Sequence, residues 1–275
     1  MNNIIYDIDT LFPVDENHVS TYNKKVATGQ ESASQARIAV LCLARNIAKK
    51  YQYPFRQIRL LLNYFHKDSR VYIYENDSID STPQCMQETL DKPEYKQFSL
   101  YSEKLKTKYL PLSRDQIRTT NMANARNKCY NLIDKKDIKS FDFFFVLDID
   151  FQNISLNGVL NSIGWMHDNP EIKAMSGNSY SEHFKLGYLN YDSFAFRLNN
   201  WHQQHIPWFP QFNLPIGSDP IMVYSAFGGL TIYRKGFYKP LYSGEDCEHV
   251  QLHKKLKNTL KDFQLFYNPS QIMIV

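Results

Sequence analysis

One stretch of the sequence decides the fold: residues 143–150 read FFFVLDID. Five consecutive apolar residues are typical of a strand that is buried on both faces, as in the parallel sheets of α/β proteins. Two carboxylates, Asp148 and Asp150, follow this run. Because open α/β sheets bind their ligands beyond the carboxyl ends of the strands, the two aspartates are predicted to face a ligand.

Strands and helices alternate on both sides of this stretch. Apolar runs predict further strands at 37–44, 71–74, 171–176 and 263–267, and regular structure resumes at 222–234. Helical spacing predicts helices that begin near Pro54 and Pro83 and that span 113–134, 155–167 and 246–258. This order predicts an α/β fold: an open, Rossmann-like, mostly parallel sheet with helices on both faces. Residues 1–35 are polar and weakly patterned, and we interpret them as an N-terminal extension of a single domain at 36–275.

Composition and charge narrow the class of protein. The chain has 275 residues and a formal net charge of +4, with the charged residues spread along the sequence. A nucleic-acid-binding protein would show a dense, one-sided basic cluster, so we expect no nucleic-acid partner. No segment approaches the roughly 18 consecutive apolar residues of a membrane helix, and the N-terminus does not read as a signal peptide. The four cysteines form no C-x-x-C pair, which favours reduced thiols in the cytoplasm.

The spacing of Asp148 and Asp150 points to a metal ion. Two carboxylates at i and i+2 beyond one strand repel each other unless a cation lies between them. Mg²⁺ or Mn²⁺, held by one or two carboxylates and the phosphates of a substrate, is the natural partner. Such a cation would also neutralise a diphosphate leaving group. The alternative is a pair of aspartates that only cap the loop.

A substrate with a diphosphate could be a nucleotide. Polar residues beyond the second strand and on the helix before residue 143 could bind its nucleoside and its phosphates. Glu75 and Asp77 follow the strand at 71–74, where a carboxylate can accept hydrogen bonds from a ribose or a base. Asn, Asp and Ser also favour turns, which is the alternative. Arg126 could grip a diphosphate with two hydrogen bonds, or form a surface ion pair.

Two further motifs lie in the second half of the chain. Gly228 and Gly229 would let the backbone approach a ligand closely, although a simple bend explains them equally well. Residues 244–253 read GEDCEHVQLH at a predicted helix start. The positive end of the helix dipole stabilises carboxylates at a helix start, which explains these acidic residues without a role in catalysis. His249 and His253 are four residues apart and share a helix face.

Six motifs occur in a fixed order: ARN (44–46), YENDSIDST (74–82), NMANARN (121–127), FFFVLDID (143–150), SAFGGL (225–230) and GEDCEHVQLH (244–253). Together they resemble the GT-A glycosyltransferases grouped around the fungal capsule-associated alpha-1,3-mannosyltransferases, with related bacterial and viral enzymes. The resemblance spans about residues 37–270. It implies a GT-A fold, a nucleotide-sugar donor, a divalent cation and an acidic residue near the carboxyl end of the fold.

The resemblance also implies roles for individual residues. It assigns metal binding to Asp148 and Asp150, the nucleotide side to Glu75, Asp77 and Arg126, and the acidic residue of the carboxyl-terminal part to Asp246. We add Arg45, Asp148, Gly228 and Gly229 to the predicted donor-binding residues, and Glu245 to Asp246 as a predicted catalytic residue. Many GT-A folds take a third metal ligand from their C-terminal part. We prefer His249 to His253 for this role, because His249 lies three residues from Asp246 on the same side of the first helical turn. The alternative is that both histidines lie on the helix surface.

The sequence therefore predicts a metal-dependent hexosyltransferase. It would move a sugar from GDP-mannose or a UDP-hexose to a glycan or other hydroxyl acceptor, with Mn²⁺ or Mg²⁺ as the cofactor. The nucleotide-sugar half would span 36–150 and the acceptor half 151–275, with 180–220 as a flap or acceptor-binding insertion.

Two alternatives come from other classes. A pyrophosphorylase-like nucleotidyltransferase would need a glycine-rich phosphate loop after the first strand, and residues 44–47 contain no glycine. A non-catalytic carbohydrate-binding relative would not need the intact D-x-D and G-E-D motifs.

Overall fold

The structure is a computed structural model that describes residues 7–107, 115–198 and 214–275. Within these ranges the strands are β1 (Ile38–Ala44), β2 (Arg70–Asn76), β3 (Phe98–Glu103), β4 (Phe143–Asp148), β5 (Asn153–Ile154), β6 (Ala174–His183), β7 (Gly187–Asn190), β8 (Ile221–Val223), β9 (Leu230–Arg234) and β10 (Leu265–Ile274). The α-helices are α1 (Ile8–Leu11), α2 (Val19–Gln35), α3 (Gln52–Leu62), α4 (Thr82–Leu90), α5 (Gln116–Asn131), α6 (Leu156–Asp168) and α7 (Glu248–Thr259).

The strands form one mixed sheet in the order β3-β2-β1-β4-β9-β6-β10-β5, with β7 beside β6 and β8 beside β10. Strands β3, β2, β1 and β4 are parallel to one another, whereas β9 is antiparallel to both β4 and β6. The carboxyl ends of β1 to β4 therefore meet at one edge of the sheet. At that edge Asp148 pairs with Leu43 of β1.

Both faces of the central strands are buried, as the apolar runs predict. Along β4, Phe145 contributes to the core cluster that includes residues of α3 and α6. Its neighbour Phe144 contributes to the cluster that includes residues of α5 and α7. Side chains that alternate between two apolar layers require helices on both faces of the sheet. The prediction of an α/β fold with helices on both faces is confirmed.

The polar N-terminal segment contains a helix that belongs to the packed structure. Helix α2 packs against α6, and its Ala33 is completely buried. The helices approach so closely that a Cβ atom on Gly29 would lie 1.8 Å from the Leu160 carbonyl oxygen. An interface built on glycine and backbone contact gives little apolar periodicity, which is why the sequence pattern appears weak. The domain boundary at residue 36 stays a prediction.

The predicted insertion at 180–220 is partly regular. Its first residues complete β6 and then form β7, which pairs antiparallel with β6 from Tyr180–Asn190 to His183–Gly187. Residues 199–213 of the insertion lie outside the described residues. None of the helices in the described ranges combines the length and the hydropathy that a bilayer crossing requires.

Candidate active site

The D-x-D motif lies at the end of β4, at the edge where the parallel strands finish. The Asp148 backbone N–H donates to the Gly229 carbonyl oxygen at 2.8 Å, which ties the motif to the turn before β9. Ile149 is buried and Asp150 is exposed on the turn. Loss of hydration at this edge of the sheet raises the pKa of the Asp148 and Asp150 carboxyls, although part of the Asp150 side chain reaches solvent, and the charge of Asp148 raises the pKa of Asp150 further.

A buried guanidinium joins this motif to α7. Arg126 is 3% exposed. Its Nη2 donates to Asp148 Oδ1 at 2.9 Å and its Nε donates to Glu248 Oε1 at 3.1 Å. Burial opposes the charge, but the two carboxylates raise the pKa of Arg126 well above its usual range. Helix α5 thus places Arg126 as a permanent positive charge beside the D-x-D motif, and the contact of Arg126 with a diphosphate stays a prediction.

Asp192, which the sequence does not single out, adds another carboxylate. It lies in the loop after β7, and its Oδ2 accepts from the Gly228 N–H at 2.9 Å. Burial, together with the charges of Asp148 and Glu248, raises the pKa of Asp192 to about 7. No motif or strand end marks this residue in the sequence. The site thus holds more negative charge than Arg126 balances, which suits a divalent cation.

The titration of Asp192 leads to a prediction on stability. Between pH 5 and 7 the folded state keeps the Asp192 proton, whereas the unfolded state, with an ordinary Asp pKa near 3.9, has lost it. The free energy of unfolding should therefore fall by up to about 1.4 kcal/mol for each pH unit over this window. The measurement is the difference between wild type and Asp192→Asn in urea unfolding with EDTA, at pH 5, 6, 7 and 8. A difference that does not change with pH would contradict the assignment.

Three of the predicted donor-binding residues hold loops beyond β1, β2 and β3. Glu75 is buried, and its carboxylate accepts from the Ser78 N–H at 2.9 Å and from the Ser102 hydroxyl. Asp77 accepts from three consecutive backbone N–H groups at 105–107, at 2.7 to 2.9 Å. Arg45 Nη2 donates to the Thr107 carbonyl oxygen at 2.8 Å.

These hydrogen bonds offset the burial of Asp77 and lower its pKa. The contacts of Glu75 and Asp77 are therefore those expected of residues that shape turns, which is the alternative interpretation. A contact between these residues and a nucleoside stays a prediction.

Gly228 and Gly229 form the bend between the D-x-D motif and Asp192. Their φ angles are +60° and +74°, which glycine adopts without strain. A Cβ atom on Gly228 would lie 2.1 Å from the Gly177 carbonyl oxygen. The bend alternative therefore accounts for both glycines, and their predicted contact with the donor stays a prediction.

The acidic residues before α7 lie in different environments. Glu245 is exposed, and a hydrogen bond with Ser243 lowers its pKa. The Asp246 carboxylate, 15% exposed, lies 3.5 Å from Nη2 of the fully buried Arg197. Nη1 of Arg197 donates to the Phe194 carbonyl oxygen at 2.8 Å. Asp246 is thereby linked to the segment that follows Asp192, and its catalytic role stays a prediction.

His249 and His253 are both buried, so the alternative that places them on the helix surface is wrong. His253 lies 2.9 Å from the Ser225 hydroxyl and 2.8 Å from the Tyr233 hydroxyl. Burial lowers its pKa to about 3, so the ring is a neutral core residue. His249 stacks on Phe227 with ring centroids 3.6 Å apart, and burial lowers its pKa well below the usual range.

A third metal ligand is not seen in coordinating position beside Asp148 and Asp150 within the described ranges. Among the described residues, no group of three or more His, Cys, Asp or Glu side chains is arranged to hold a metal ion. Neither ring nitrogen of His249 has a hydrogen-bond partner within the described ranges, and its Nε2 lies 3.5 Å from Glu248 Oε1. The role of His249 as a metal ligand stays a prediction.

No protein-family model matches the chain, and no curated protein sequence matches it.

The fold, in contrast, is found among solved structures. Mannosyltransferase PcManGT from Pyrobaculum calidifontis, in complex with GDP-Man and Mn²⁺, aligns with a TM-score of 0.54 and 13% identity over 94% of this chain and 65% of that chain. Residues 1–349 of S. aureus TarS, in complex with UDP, align with a TM-score of 0.51 and 11% identity over 87% of this chain and 60% of that chain. The chain thus spans less than two thirds of the length of either structure.

At these identities the likeness shows the fold alone, and that fold is the GT-A type. The predicted GT-A class is confirmed to this extent. The place of the chain among the fungal capsule mannosyltransferases stays a prediction.

Proposed function

We propose that this protein is a metal-dependent glycosyltransferase. It moves a hexose from a nucleoside-diphosphate sugar, GDP-mannose or a UDP-hexose, to a hydroxyl group of a glycan or other acceptor. The observation that supports this most strongly is the buried strand β4, which ends in Asp148 and Asp150 at the edge where β1 to β4 finish. PcManGT, which shares the fold, was solved with GDP-Man and Mn²⁺, and TarS with UDP.

The residues at this edge fit a divalent cation. Asp148 and Asp150 offer oxygen ligands, which Mn²⁺ and Mg²⁺ prefer. Burial raises the pKa of these carboxyls and of Asp192, and the charge of Asp148 raises the pKa of Asp150 and Asp192 further. A bound cation would stabilise the ionised form of all three. When bound, the cation would neutralise the diphosphate leaving group. Arg126 orients the Asp148 carboxylate and keeps its own charge beside it.

The remaining predicted residues take supporting roles in this proposal. Arg45, Glu75 and Asp77 shape the loops that would receive the nucleoside beyond β1 and β2. Asp246 and Glu245 would serve the acceptor side. Four free thiols are compatible with a reducing compartment such as the cytoplasm, which is the location predicted from the sequence.

A panel of nucleotide sugars tests the proposal directly. A ligand that binds only the folded state raises the melting temperature, so thermal unfolding is measured with GDP-mannose and several UDP- and CDP-sugars, each with Mn²⁺ or with EDTA. We expect one donor to stabilise the protein only when Mn²⁺ is present, and to be consumed in the presence of acceptor. No stabilisation by any donor with Mn²⁺ would overturn the proposal. Turnover of a nucleoside triphosphate with a sugar 1-phosphate would instead favour the nucleotidyltransferase, and binding without turnover the non-catalytic relative.

The loop that Asp77 holds gives a prediction on donor affinity. Asp77→Ala removes the acceptor of three backbone N–H groups at 105–107, so the surface beyond β2 should lose its shape. We expect the donor KM to rise more than kcat falls, because the loss affects the ground state and the transition state equally. Asp80→Ala, which removes a cap of Thr82 in the same loop region, is the control. An unchanged donor KM in Asp77→Ala would restrict Asp77 to a turn residue.

His249→Phe separates packing from metal binding. The substitution keeps an aromatic ring against Phe227 and removes two buried nitrogens that have no hydrogen-bond partner in the described part of the chain. Since a buried unpaired polar atom costs about 1–3 kcal/mol, the variant should be at least as stable as wild type. With His249 as the predicted third ligand, we expect the affinity of the variant for Mn²⁺, measured by calorimetric titration, to fall by about tenfold or more. An unchanged affinity would contradict that role and leave His249 as a core residue that packs on Phe227.

A further inference from the structure

Large apolar residues are exposed around the edge of the sheet where the D-x-D motif lies. Ile79 follows β2 and Leu105 follows β3, and they are 93% and 41% exposed. Ile117, which is also exposed, lies in the first turn of α5. Since Arg126 of the same helix meets Asp148, the start of α5 lies beyond that edge. Single exposed apolar residues need no explanation, but a group of them on one side of a molecule marks an interaction surface.

The β6–β7 hairpin projects past the D-x-D motif at the same edge. Strand β9 is antiparallel to both β4 and β6, so β4 and β6 run in the same direction, and Val146 and Ser176 both pair with Thr231 of β9. Beyond this level β6 continues for seven residues, to His183, whereas β4 continues for two, to Asp148. The hairpin therefore extends about 16 Å past the motif, at about 3.3 Å for each residue.

Two apolar residues stand at the tip of this hairpin. Phe184 is 85% exposed and Leu186 is 67% exposed. The base of the hairpin is held by Phe12, whose ring centroid lies 4.6 Å from that of Tyr180 and 5.1 Å from that of Tyr188. The tip is thus presented to solvent on a braced stem, which loses little conformational freedom when the tip binds a partner.

Lysines flank the exposed apolar residues. Residues 104–106 read KLK and residues 184–186 read FKL, and all six are exposed. Lys185 Nζ lies 5.3 Å from the Phe184 ring centroid. With Lys49 and Lys50 in the loop after β1, these lysines outnumber the exposed carboxylates of the same edge, which are Asp80, Asp115, Asp150 and Glu182. A lysine beside an apolar residue can lay its stem along an apolar surface and keep its ammonium group among anionic headgroups.

A membrane suits this surface better than a protein partner does. Ile79 and Leu105 lie on the β2–β3 side of β4, whereas the β6–β7 hairpin lies on the other side. A stable protein interface buries about 800 Å² on each partner, and a protein that reached both groups would cover the D-x-D motif. A bilayer needs no complementary shape, and apolar side chains enter its headgroup region to a depth of about 5–10 Å.

We propose that this apolar edge, defined by Ile79, Leu105, Ile117, Phe184 and Leu186, docks onto an anionic membrane surface. The hairpin tip enters the headgroup region, and Lys185 meets the anionic lipids there. The D-x-D motif then faces the membrane. If the proposed function holds, an acceptor carried by a lipid would reach the motif without leaving the bilayer, but the docking itself does not rest on that function.

Co-sedimentation of the whole chain with lipid vesicles tests the docking. One set of vesicles is phosphatidylcholine alone, and the other is a 3:1 mixture of phosphatidylcholine and phosphatidylserine. We expect wild type to bind the mixed vesicles. The double variant Phe184→Ser, Leu186→Ser should bind them at least about tenfold more weakly, because it removes the apolar area that enters the bilayer. Lys185→Gln should weaken the same binding by about fivefold, and this loss should shrink at high salt.

Met222→Ser is the matched control. Met222 is 58% exposed, and its strand β8 lies beside the first residues of β10, away from the apolar edge. The control should bind vesicles as wild type does. Because Phe184 and Leu186 are exposed, the double variant should melt at the wild-type temperature, so that a loss of binding reports the surface and not the fold.

The outcomes separate this inference from the proposed function. Failure of wild type to bind the mixed vesicles would overturn the docking, and so would equal binding by wild type and the double variant. A wild-type dimer that the double variant dissociates, without vesicle binding, would assign the tip to a second copy of the chain and overturn the docking as well. The nucleotide-sugar panel is measured without vesicles. Vesicle binding that the double variant loses, in a protein that no nucleotide sugar stabilises, would support the docking and overturn the proposed transfer.

Discussion

Asp150→Asn is expected to slow glycosyl transfer by at least about 100-fold, which corresponds to about 2.7 kcal/mol of transition-state stabilisation. The asparagine has the same size and cannot supply the negative charge that holds a divalent cation. Asp150 is exposed on the turn after β4, so the substitution should leave the fold intact. The measurement is kcat at saturating donor over a range of Mn²⁺ concentrations, with the donor identified by the thermal panel.

The opposite end of the same strand offers a matched control for Asp150→Asn. Asp142 precedes β4 and accepts from the Arg37 backbone N–H at 2.9 Å, far along the strand from the D-x-D motif. Asp142→Asn also replaces one carboxylate by an amide, and should keep transfer within a few-fold of wild type. Full wild-type turnover in excess EDTA would refute the metal assignment, whatever the variants show.

Arg126→Met is expected to lower the free energy of unfolding by about 3–5 kcal/mol. The methionine fills much of the same volume but leaves the Asp148 and Glu248 carboxylates beside each other without their shared cation. Breaking a buried ion pair by removing one partner costs more than the pair contributes, because the remaining charge stays buried. Urea unfolding in EDTA, followed by circular dichroism, gives the free energy without a contribution from bound metal.

Lys128→Met is the control for Arg126→Met. Lys128 lies on the same helix, pairs with Glu103, and is 43% exposed, so its loss should cost no more than about 1 kcal/mol. Adding Glu248→Gln to Arg126→Met should recover part of the lost stability, since it removes one of the two unpaired carboxylates. If Arg126→Met is no less stable than Lys128→Met, the buried cluster does not stabilise the fold.

Much of the fold could be predicted because it depends on local order. The apolar run of β4 and the helical spacing of α5, α6 and α7 each involve residues close together in the chain, and the structure places these elements near the predicted positions. The parallel arrangement of β1, β2 and β4 then brings Asp148 to the edge beside the loops that hold Asp77. The position of the D-x-D motif at the edge where the parallel strands end thus follows from strand burial and strand order alone.

Contacts between distant residues could not be predicted in this way. Arg126 and Glu248 are 122 positions apart, and Asp192 meets Gly228 across 36 positions. No periodic pattern links such pairs, so the sequence left Arg126 between a diphosphate ligand and a surface ion pair, and did not select Asp192. The structure shows an ion pair that is buried and not at the surface, and the contact of Arg126 with a diphosphate stays a prediction.

The sequence by itself determined the α/β class, the exposed edge of the sheet and the two aspartates there, because these follow from local periodicity and the direction of each strand. Only the tertiary structure decided the electrostatic surroundings of those aspartates and the burial of His249 and His253. The pKa of a side chain and its exposed fraction depend on every element that packs around it. Here α5, α7 and the loop after β7 converge on one point, although their positions in the chain are far apart.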